Sequence, residues 1–395
     1  MSLHRLVNPV MPYAWGSRGA IAALQGRPPS GQPEAELWIG AHPQAPSTLE
    51  RDGRSLGALI EDCPQETIGE RLVDQFGGRL PFMVKVIAAA QALSLQVHPD
   101  DDDARAGFAR EAAAGLDVTD PRRNYRDANA KPEMVLAISP FEALLGFRSS
   151  TEAAEALASL RVRSLDGVVA ALRDGAATGD AFLQLVQWPL AERAQLIAAV
   201  RAAASSDQEL AWLVQLADRH PDDPGVVAAL LLNRRTLAPG QACYVAPGVI
   251  HGYLRGTAIE VLGCSDNVVR AGLTAKHIAV EELRSLLTRT ATPPVLLEPH
   301  ATSDGEERWQ VPRPEFQLAR LRVDGKSVVA RRGEPELLLC VSGKVEVCGG
   351  DQSVGLRSGE SCFVDANTPE LTFVGQGVTV RATPGDLTPH VEPAA

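Results

Sequence analysis

Residues 92–100 read A-L-S-L-Q-V-H-P-D and alternate strictly between apolar and polar side chains. Such alternation predicts a β-strand, on which Ser94, Gln96 and His98 share one face. The run before it, residues 81–90, is almost entirely apolar, so we expect the strand deep in a sheet. A polar row in that position indicates a cavity, a metal or a ligand. The alternative, which this strand alone favours, is an antiparallel strand with one hydrated face.

The composition is typical of a globular protein with more than one domain. The chain has 395 residues, of which 45% are hydrophobic and 22% charged, and this length predicts two or three domains.

No window approaches the roughly 18 consecutive apolar residues of a transmembrane helix. The first ten residues contain no apolar signal region, so a secretory leader is not expected. The net charge of −11 disfavours nucleic-acid and membrane partners, and an anionic ligand would need local positive charge.

The cysteines predict the compartment. The six of them form no C-x-x-C pair and show no spacing typical of a disulfide framework. Free thiols, and with them a cytoplasmic location, are therefore expected. We expect the chain to be a monomer or a weak homo-oligomer.

Composition divides the chain into three parts. Residues 1–148 and 234–290 are rich in strand and turn signals and are predicted to form one β domain. Between them, residues 149–233 are rich in Ala and Leu at helical spacing and predict an inserted helical domain. A proline-rich crossing then leads into residues 291–395, which predict a second β domain.

Several polar features have structural explanations. The acidic run 100–103 fits a helix N-terminus, where negative charge is favourable. Ser149 and Glu152 have the spacing of a capping box. His220 precedes a proline and predicts a helix end, and His42 lies in an apparent loop as a structural histidine.

Three other polar residues lie within or at the start of predicted strands. Lys85 is in the middle of residues 81–90, where a lysine either reaches the surface or pairs with an anion. Glu133 opens the apolar strand E-M-V-L-A and would be costly to bury without a metal or a cation. His251 follows a Pro-Gly turn and begins another strand, which is one way to present an imidazole into a barrel.

A short pattern repeats at a distance of 119 residues. L-A-P-G-Q-A-C-Y-V-A from Leu237 overlies L-R-S-G-E-S-C-F-V-D from Leu356. Two related β-units are the simplest explanation of this match. The same shift puts Glu370 at the place of His251, so the second unit is not expected to bind a metal.

Seven motifs along the chain together resemble one family, the type I mannose-6-phosphate isomerases (phosphomannose isomerases) of the cupin superfamily. The motifs are Y-A-W-G-S from Tyr13, E-L-W-I-G-A-H-P from Glu36, P-F-M-V-K-V from Pro81, A-L-S-L-Q-V-H-P-D from Ala92, N-A-K-P-E-M from Asn129, P-G-V-I-H-G-Y from Pro247 and D-N-V-V-R-A-G-L-T from Asp266. The resemblance covers most of the chain and keeps the family order. It implies a mostly β fold with two cupin-type jelly-roll β-units plus an α-helical domain.

The resemblance also implies a metal site with one Zn²⁺ per chain. Its ligands would be Gln96, His98, Glu133 and His251. The residues themselves agree, because Gln96 and His98 share a strand face and Glu133 needs a partner. Zinc accepts His and carboxylate ligands, and Gln is a less usual one. A nitrogen and oxygen set without Cys also takes other divalent ions, so the choice of zinc rests on the resemblance.

Further site residues are implied by the same motifs. The implied catalytic residues are Arg270, Lys131 and Glu260. The implied substrate contacts are Ser94 and Lys85 near a phosphate, with Tyr253, Asp266 and Trp15 around the sugar. One departure concerns the family pattern N-H-K-P-E, which has Ala130 in place of its histidine here, so proton transfer must do without that group.

The implied reaction is the reversible isomerisation of mannose 6-phosphate and fructose 6-phosphate through a cis-enediol(ate). The metal would stabilise oxyanion charge, Arg270 would add fixed positive charge, and Lys131 or Glu260 would move the proton. The alternatives are an isomerase of a related aldose, a metal-binding cupin that binds or senses a phosphosugar without catalysis, and a cupin oxygenase. A pure binder does not explain both Arg270 and Lys131, and an oxygenase usually has more than two His ligands.

Overall fold

The structure is a computed structural model that describes residues 2–330 and 333–386. Within these residues the chain forms two antiparallel sheets and a block of helices, which confirms the mostly β fold with helices. Residues 331–332 and 387–395, which belong to the predicted C-terminal domain, lie outside the described residues. The domain limits drawn from the sequence stay a prediction.

The strands of the described part are β1 Leu3–Val7, β2 Val10–Met11, β3 Glu36–Ile39, β4 Thr48–Leu49, β5 Phe82–Ala89, β6 Leu95–Val97, β7 Glu133–Ala137, β8 Phe141–Phe147, β9 Leu232–Leu237, β10 Ala242–Val245, β11 His251–Gly263, β12 Val269–Gly272, β13 Val295–Leu297, β14 His300–Ala301, β15 Glu306–Trp309, β16 Gln317–Ala330, β17 Glu336–Gly349, β18 Gln352–Arg357, β19 Ser361–Val364 and β20 Glu370–Thr383. The N-terminal sheet has the order β13-β10-β7-β11-β5-β3-β2, and β6, β8, β9 and β12 join it through β11. The C-terminal sheet has the order β14-β15-β16-β20-β17-β19-β1-β4, with β18 on β17.

The α-helices of the described part are α1 Ala20–Leu24, α2 Leu56–Asp62, α3 Pro64–Ile68, α4 Glu70–Phe76, α5 Asp101–Ala113, α6 Ser150–Ser159, α7 Asp166–Arg173, α8 Thr178–Val186, α9 Arg193–Ala204, α10 Ala211–Arg219, α11 Gly225–Ala228 and α12 Val280–Leu286. Short 3₁₀ turns lie at Arg163–Leu165, Leu190–Glu192, Gln208–Leu210 and Ala229–Leu231. In the described residues, no helix is both long and apolar enough to cross a membrane.

The helix starts and ends follow the local sequence signals. The Asp100 side chain caps α5 by accepting from the backbone N–H of Asp103 at 2.9 Å, as the acidic run predicted. Ser149 and Glu152 form the predicted capping box of α6. His220 is the residue that ends α10.

The two faces of the N-terminal sheet have different partners, because neighbouring side chains on a strand point to opposite sides. On one face, Val84 and Ile259 pack in a core shared with Leu337 and Phe363 of the C-terminal sheet. On the other face, polar residues of β5, β7 and β11 line a cavity. The shared core therefore supports the strands that form the cavity wall, on the face of the sheet that points away from the cavity.

Strand β6 is shorter than the alternation predicted. Only Leu95–Val97 has strand geometry, while the N–H of Leu93 still donates to the carbonyl of Tyr253 at 2.8 Å. Leu95 and Val97 pack against the helical block, so the polar face of the strand turns to the cavity. Gln96 lies opposite His251 on one side and Arg270 on the other.

Strand β11 takes part in both halves of the cavity wall, because it bends in its middle. Its first residues pair with β6 and β8, and its later residues pair with β5 and β7. The strand changes partners at Gly256, just after a register shift between Tyr253 and Arg255, and we call this point the bend; the φ of +113° at Gly256 favours glycine. A Cβ there would lie 2.3 Å from the carbonyl oxygen of Pro140.

The repeat found in the sequence corresponds to repeated strands. The same shift of 119 residues superposes the bounds of β10 on those of β19, and the start of β11 on the start of β20. Glu133 pairs with Val245, and Glu336 pairs with Val364, which is Val245 moved by the shift. Glu336 therefore has the position of Glu133 in the second unit. There its carboxylate accepts two hydrogen bonds of 2.9 Å from the buried guanidinium of Arg381.

Candidate active site

A cavity of about 640 Å³ lies between the inner face of the N-terminal sheet and the helical block. Ten of the twelve residues predicted from the sequence line it: Trp15, Lys85, Ser94, Gln96, Lys131, Glu133, Tyr253, Glu260, Asp266 and Arg270. The other two, His98 and His251, are fully buried beside Glu133. Residues that are up to 255 positions apart in the sequence thus share one wall of the cavity.

Two histidines and one carboxylate meet at the base of the cavity. The Nε2 atom of His98 is 3.1 Å from Oε1 of Glu133, and Nε2 of His251 is 3.2 Å from Oε2. The side-chain amide of Gln96 lies 3.4 Å from Nε2 of His251. Among the described residues, His98, Glu133 and His251 are the group whose ligand atoms are close enough to share one metal ion.

The hydrogen bonds of the two imidazoles fix which nitrogen carries the proton. Nδ1 of His98 is 2.7 Å from the carbonyl oxygen of Asn267, and Nδ1 of His251 is 3.0 Å from that of Val249. A carbonyl can only accept, so both Nδ1 atoms carry a proton and donate. In a neutral imidazole, Nε2 is then an unprotonated acceptor.

This arrangement fits a bound cation. Burial, and after it the charge of Lys131, lowers the pKa of His98 to about 4, so the ring is neutral at pH 7. Its Nε2 is buried and has no hydrogen-bond partner, although a carboxylate oxygen is near. Two acceptors that face each other repel unless a cation lies between them. The amide of Gln96 can turn its oxygen to the same point, because its two ends are assigned from hydrogen bonds.

Lys131 supplies one positive charge to this group. Its Nζ is 3.0 Å from Oε1 of Glu133, and both side chains are buried. Burial opposes the charge on Glu133, but the adjacent charge of Lys131 holds the pKa of its carboxyl well below the usual range. Glu133 is therefore an anion in the structure, as a metal ligand must be.

A second carboxylate lies on the next strand. Glu260 is directly opposite Lys85 in the β5–β11 pair, and the hydroxyl of Tyr253 donates to Oε1 of Glu260 at 3.1 Å. Burial, and then the charge of Glu133, raises the pKa of Glu260 to about 8. Tyr253 thus bridges the metal-site carboxylate and Glu260, since its hydroxyl is also 3.3 Å from Oε2 of Glu133.

Lys85 lies among carboxylates. Its Nζ is 3.5 Å from Oε2 of Glu36 and 4.6 Å from the centre of the Trp38 ring. Burial opposes its charge, but Glu36 and Glu260 together raise the pKa of Lys85. Its expected position near a phosphate stays a prediction, and its observed counter-charges are these acids.

Three cations, Arg126, Arg270 and Lys276, also line the cavity, and we call them the cation cluster. In the described ranges, none of them has a carboxylate within ion-pair distance. Burial, followed by the charge of Arg126, lowers the pKa of Arg270. Burial, followed by the charge of Arg270, lowers the pKa of Lys276. Uncompensated positive charges that repel one another form a site for an anion.

The sequence interpretation missed several residues of the cavity wall. His42 was expected to be a structural residue, but its Nε2 is 3.2 Å from Oδ1 of Asp266, and both residues line the cavity. Glu36 and Trp38 alternate on β3 and share its cavity face, a signal that the motif E-L-W-I-G-A-H-P did contain. His220 does end a helix, and from there it also reaches the cavity. Arg126 and Lys276 lie in loops, where no periodic signal marks them.

Known proteins resemble this chain along nearly its whole length. The family model "Phosphomannose isomerase type I, catalytic domain" matches residues 3–150, and "Mannose-6-phosphate isomerase, cupin domain" matches residues 310–384. The mannose-6-phosphate isomerase of Escherichia coli K12 is 35% identical, over 96% of this chain and 99% of the relative. That of Bos taurus is 32% identical, over 91% of this chain and 92% of the relative.

Solved structures give the same result for the fold. A crystal structure of mannose 6-phosphate isomerase bound with zinc and yttrium has a TM-score of 0.91 and 33% identity, and covers 98% of this chain and 100% of that one. The apo form from Salmonella typhimurium has a TM-score of 0.90, with the same identity and coverage. Similarity of this extent, along nearly the whole of each chain, establishes that the protein belongs to the type I phosphomannose isomerase family.

Proposed function

We propose that the chain interconverts mannose 6-phosphate and fructose 6-phosphate with one zinc ion per chain, held by Gln96, His98, Glu133 and His251. The observation that carries the proposal is the orphaned Nε2 of His98, which faces the Glu133 carboxylate with no proton between them. Nitrogen and oxygen ligands of this kind suit zinc, and a site with a position open to substrate suits catalysis. The relatives that bear the name of this activity, and the zinc in a structure of one of them, support the choice.

The chain supplies the groups that the reaction needs around the metal. Zinc, when bound, supplies a Lewis acid that polarises substrate oxygens. Arg270 lies opposite Gln96 in the strand pair, so its fixed charge stands beside the metal ligands where oxyanion charge develops. Positive charge that is already in place costs no reorganisation during the reaction.

Proton transfer between the two carbons falls to Lys131 and Glu260 in this proposal. Both side chains are buried and line the cavity, on either side of Glu133 and Tyr253. A buried carboxylic acid and a lysine beside the metal site are suitable acid and base groups. Ala130 is buried and has no group that moves a proton, so the reaction proceeds without the histidine usual in the family.

The phosphate of the substrate binds at the cation cluster in this proposal. Two guanidinium groups and an ammonium match the charge of a phosphate, and arginine binds phosphate oxygens in pairs. Ser94 lines the same cavity and can add a hydroxyl donor. The sugar then extends from the cation cluster toward Glu133, past Asp266, Tyr253 and Trp15.

The remaining expectations belong to the same proposal. The partner is a small phosphosugar, the location is the cytoplasm, and the protein is a monomer or a weak homo-oligomer. The cysteines support a reducing compartment, because Cys63, Cys243, Cys264, Cys340 and Cys348 are free thiols in the structure.

The test is an assay with mannose 6-phosphate, coupled to the detection of fructose 6-phosphate, on purified protein before and after chelation. Turnover should disappear with the chelator and return when zinc is added. Metal-loaded protein that binds mannose 6-phosphate but does not convert it would overturn the proposal, in favour of a phosphosugar-binding cupin. Turnover that survives complete removal of the metal would overturn the role of zinc.

A further inference from the structure

The helical block touches the segment that carries two members of the cation cluster, Arg270 and Lys276. Strand β12 ends at Gly272, two residues after Arg270, and the chain continues through Leu273 and Thr274 to Lys276. Leu273 has a φ of +55°, a left-handed conformation that a leucine rarely adopts. Surrounding contacts must hold such a residue in place, because it would relax otherwise.

Asp223 makes the polar contact that holds this segment. It lies in the turn between α10 and α11, and its Oδ2 accepts from the backbone N–H of Thr274 at 2.9 Å. Its other oxygen, Oδ1, accepts from the N–H of Gly225 at 2.7 Å, at the start of α11. One carboxylate therefore joins the helical block to the residue that directly follows the strained Leu273.

Two backbones approach each other closely beside this hydrogen bond and leave no space for a side chain between them. A Cβ on Gly225 would lie 2.7 Å from Cα of Gly272, and a Cβ on Gly272 would lie 2.7 Å from Cα of Gly225. The two backbones touch because both residues are glycines. The separation between α11 and the end of β12 is thus fixed next to the hydrogen bond of Asp223.

We propose that Asp223 is a positioning residue for phosphate binding, which it supports by holding the 272–276 segment so that Arg270 and Lys276 face one anion. The inference rests on the proposed binding of phosphate at the cation cluster. It gives the helical block a part in substrate affinity, although Asp223 itself does not touch the substrate. The carboxylate acts through its two oxygens, so its isosteric amide, which has one acceptor oxygen, cannot replace it.

The experiment compares Asp223→Asn with Asp222→Asn, which removes the same charge from the exposed neighbouring position. Inorganic phosphate binding by calorimetry and the steady-state kinetics of mannose 6-phosphate are measured on zinc-loaded protein. Asp223→Asn should weaken phosphate binding and raise KM by about tenfold, the effect of losing one hydrogen bond to a charged group. The zinc content should stay within about twofold of the parent value, because no metal ligand is changed. Asp222→Asn should change none of these quantities.

A second variant, Gly225→Ala, tests whether the position of the segment matters apart from the charge of Asp223. It displaces Gly272 and leaves every charge in place, so it should weaken phosphate binding as Asp223→Asn does. The inference is wrong if Asp223→Asn binds phosphate as tightly as the parent, or if Asp222→Asn loses as much. Phosphate binding is measured without turnover, so a protein that does not isomerise mannose 6-phosphate would still decide this question.

Discussion

The two oxygens of the Glu133 carboxylate contact different groups at the base of the cavity. Oε1 faces His98 and Lys131, and Oε2 faces His251. The Nδ1–H of each imidazole, on the side of the ring away from Glu133, donates a hydrogen bond to a backbone carbonyl oxygen. Such groups behind a metal ligand orient it and raise its basicity. Both imidazoles are therefore oriented so that Nε2 points toward the same carboxylate.

Replacing Glu133 by glutamine tests this residue. The amide keeps the size of the side chain but removes its charge, so zinc content should fall far below one per chain. Turnover should fall at least ~100-fold, beyond the effect of losing a group that only supports a ligand. Metal analysis and the isomerase assay on the same sample measure both.

Glu142→Gln is the matched control for that variant. Glu142 pairs with Arg234 at 2.8 Å on the β8–β9 pair and is not a predicted ligand. It should keep full zinc content and turnover. Full zinc content in Glu133→Gln would contradict the ligand set.

The sequence could predict those residues whose signals are local. Gln96 and His98 lie two residues apart on a predicted strand, and Glu133 opens an apolar run. Each is therefore marked by the residues next to it in the sequence. His42 is different, because its place at the cavity is marked by its contact with Asp266, a residue that is distant in the sequence. Pairings of that kind depend on the complete fold, and short patterns do not contain them.

At the scale of the elements, β11 decides the shape of the cavity. It places His251 near one end and Glu260 beyond its bend, and it pairs with four other strands. The sequence predicted where this strand begins, from the Pro-Gly turn before His251. It did not predict the bend, because a single glycine within a strand has several structural explanations.

Gly256→Ala tests the bend. The added methyl group would meet the carbonyl of Pro140 and force an L side chain into positive φ, so the free energy of unfolding should fall by about 2 kcal/mol or more. Urea denaturation followed by circular dichroism measures it.

Gly167→Ala is the control, since Gly167 lies in α7 and a Cβ there would meet no other atom within 4 Å. That change should raise the free energy of unfolding by up to ~1 kcal/mol, because alanine restricts the unfolded chain. Equal effects of the two substitutions would show that the bend at Gly256 is not constrained.

At the scale of the whole molecule, the two sheets share one core. Side chains of β5 and β11 pack directly on those of β17 and β19. The first strand of the chain also pairs with β19, so Leu3–Val7 closes the C-terminal sheet from the opposite end of the sequence. Composition predicted the separate β regions, but an N-terminal strand within the C-terminal sheet has no signal in composition.

A shared core predicts that the sheets unfold together. Zinc that binds at His98 and Glu133 should then stabilise the complete chain, by about 2.7 kcal/mol when free zinc is 100 times its Kd. Differential scanning calorimetry, with and without zinc, should show one transition that moves as a whole. Two transitions, of which only one responds to zinc, would contradict the prediction.

The position that Glu133 and Glu336 share in the two units has a consequence for how each unit depends on the supply of metal. Glu133 faces two imidazoles as well as the cation Lys131, in a group that could share a metal ion, whereas Glu336 is paired with the guanidinium of Arg381. A shortage of metal should therefore affect the first unit directly, and the second unit only through the core that the two units share.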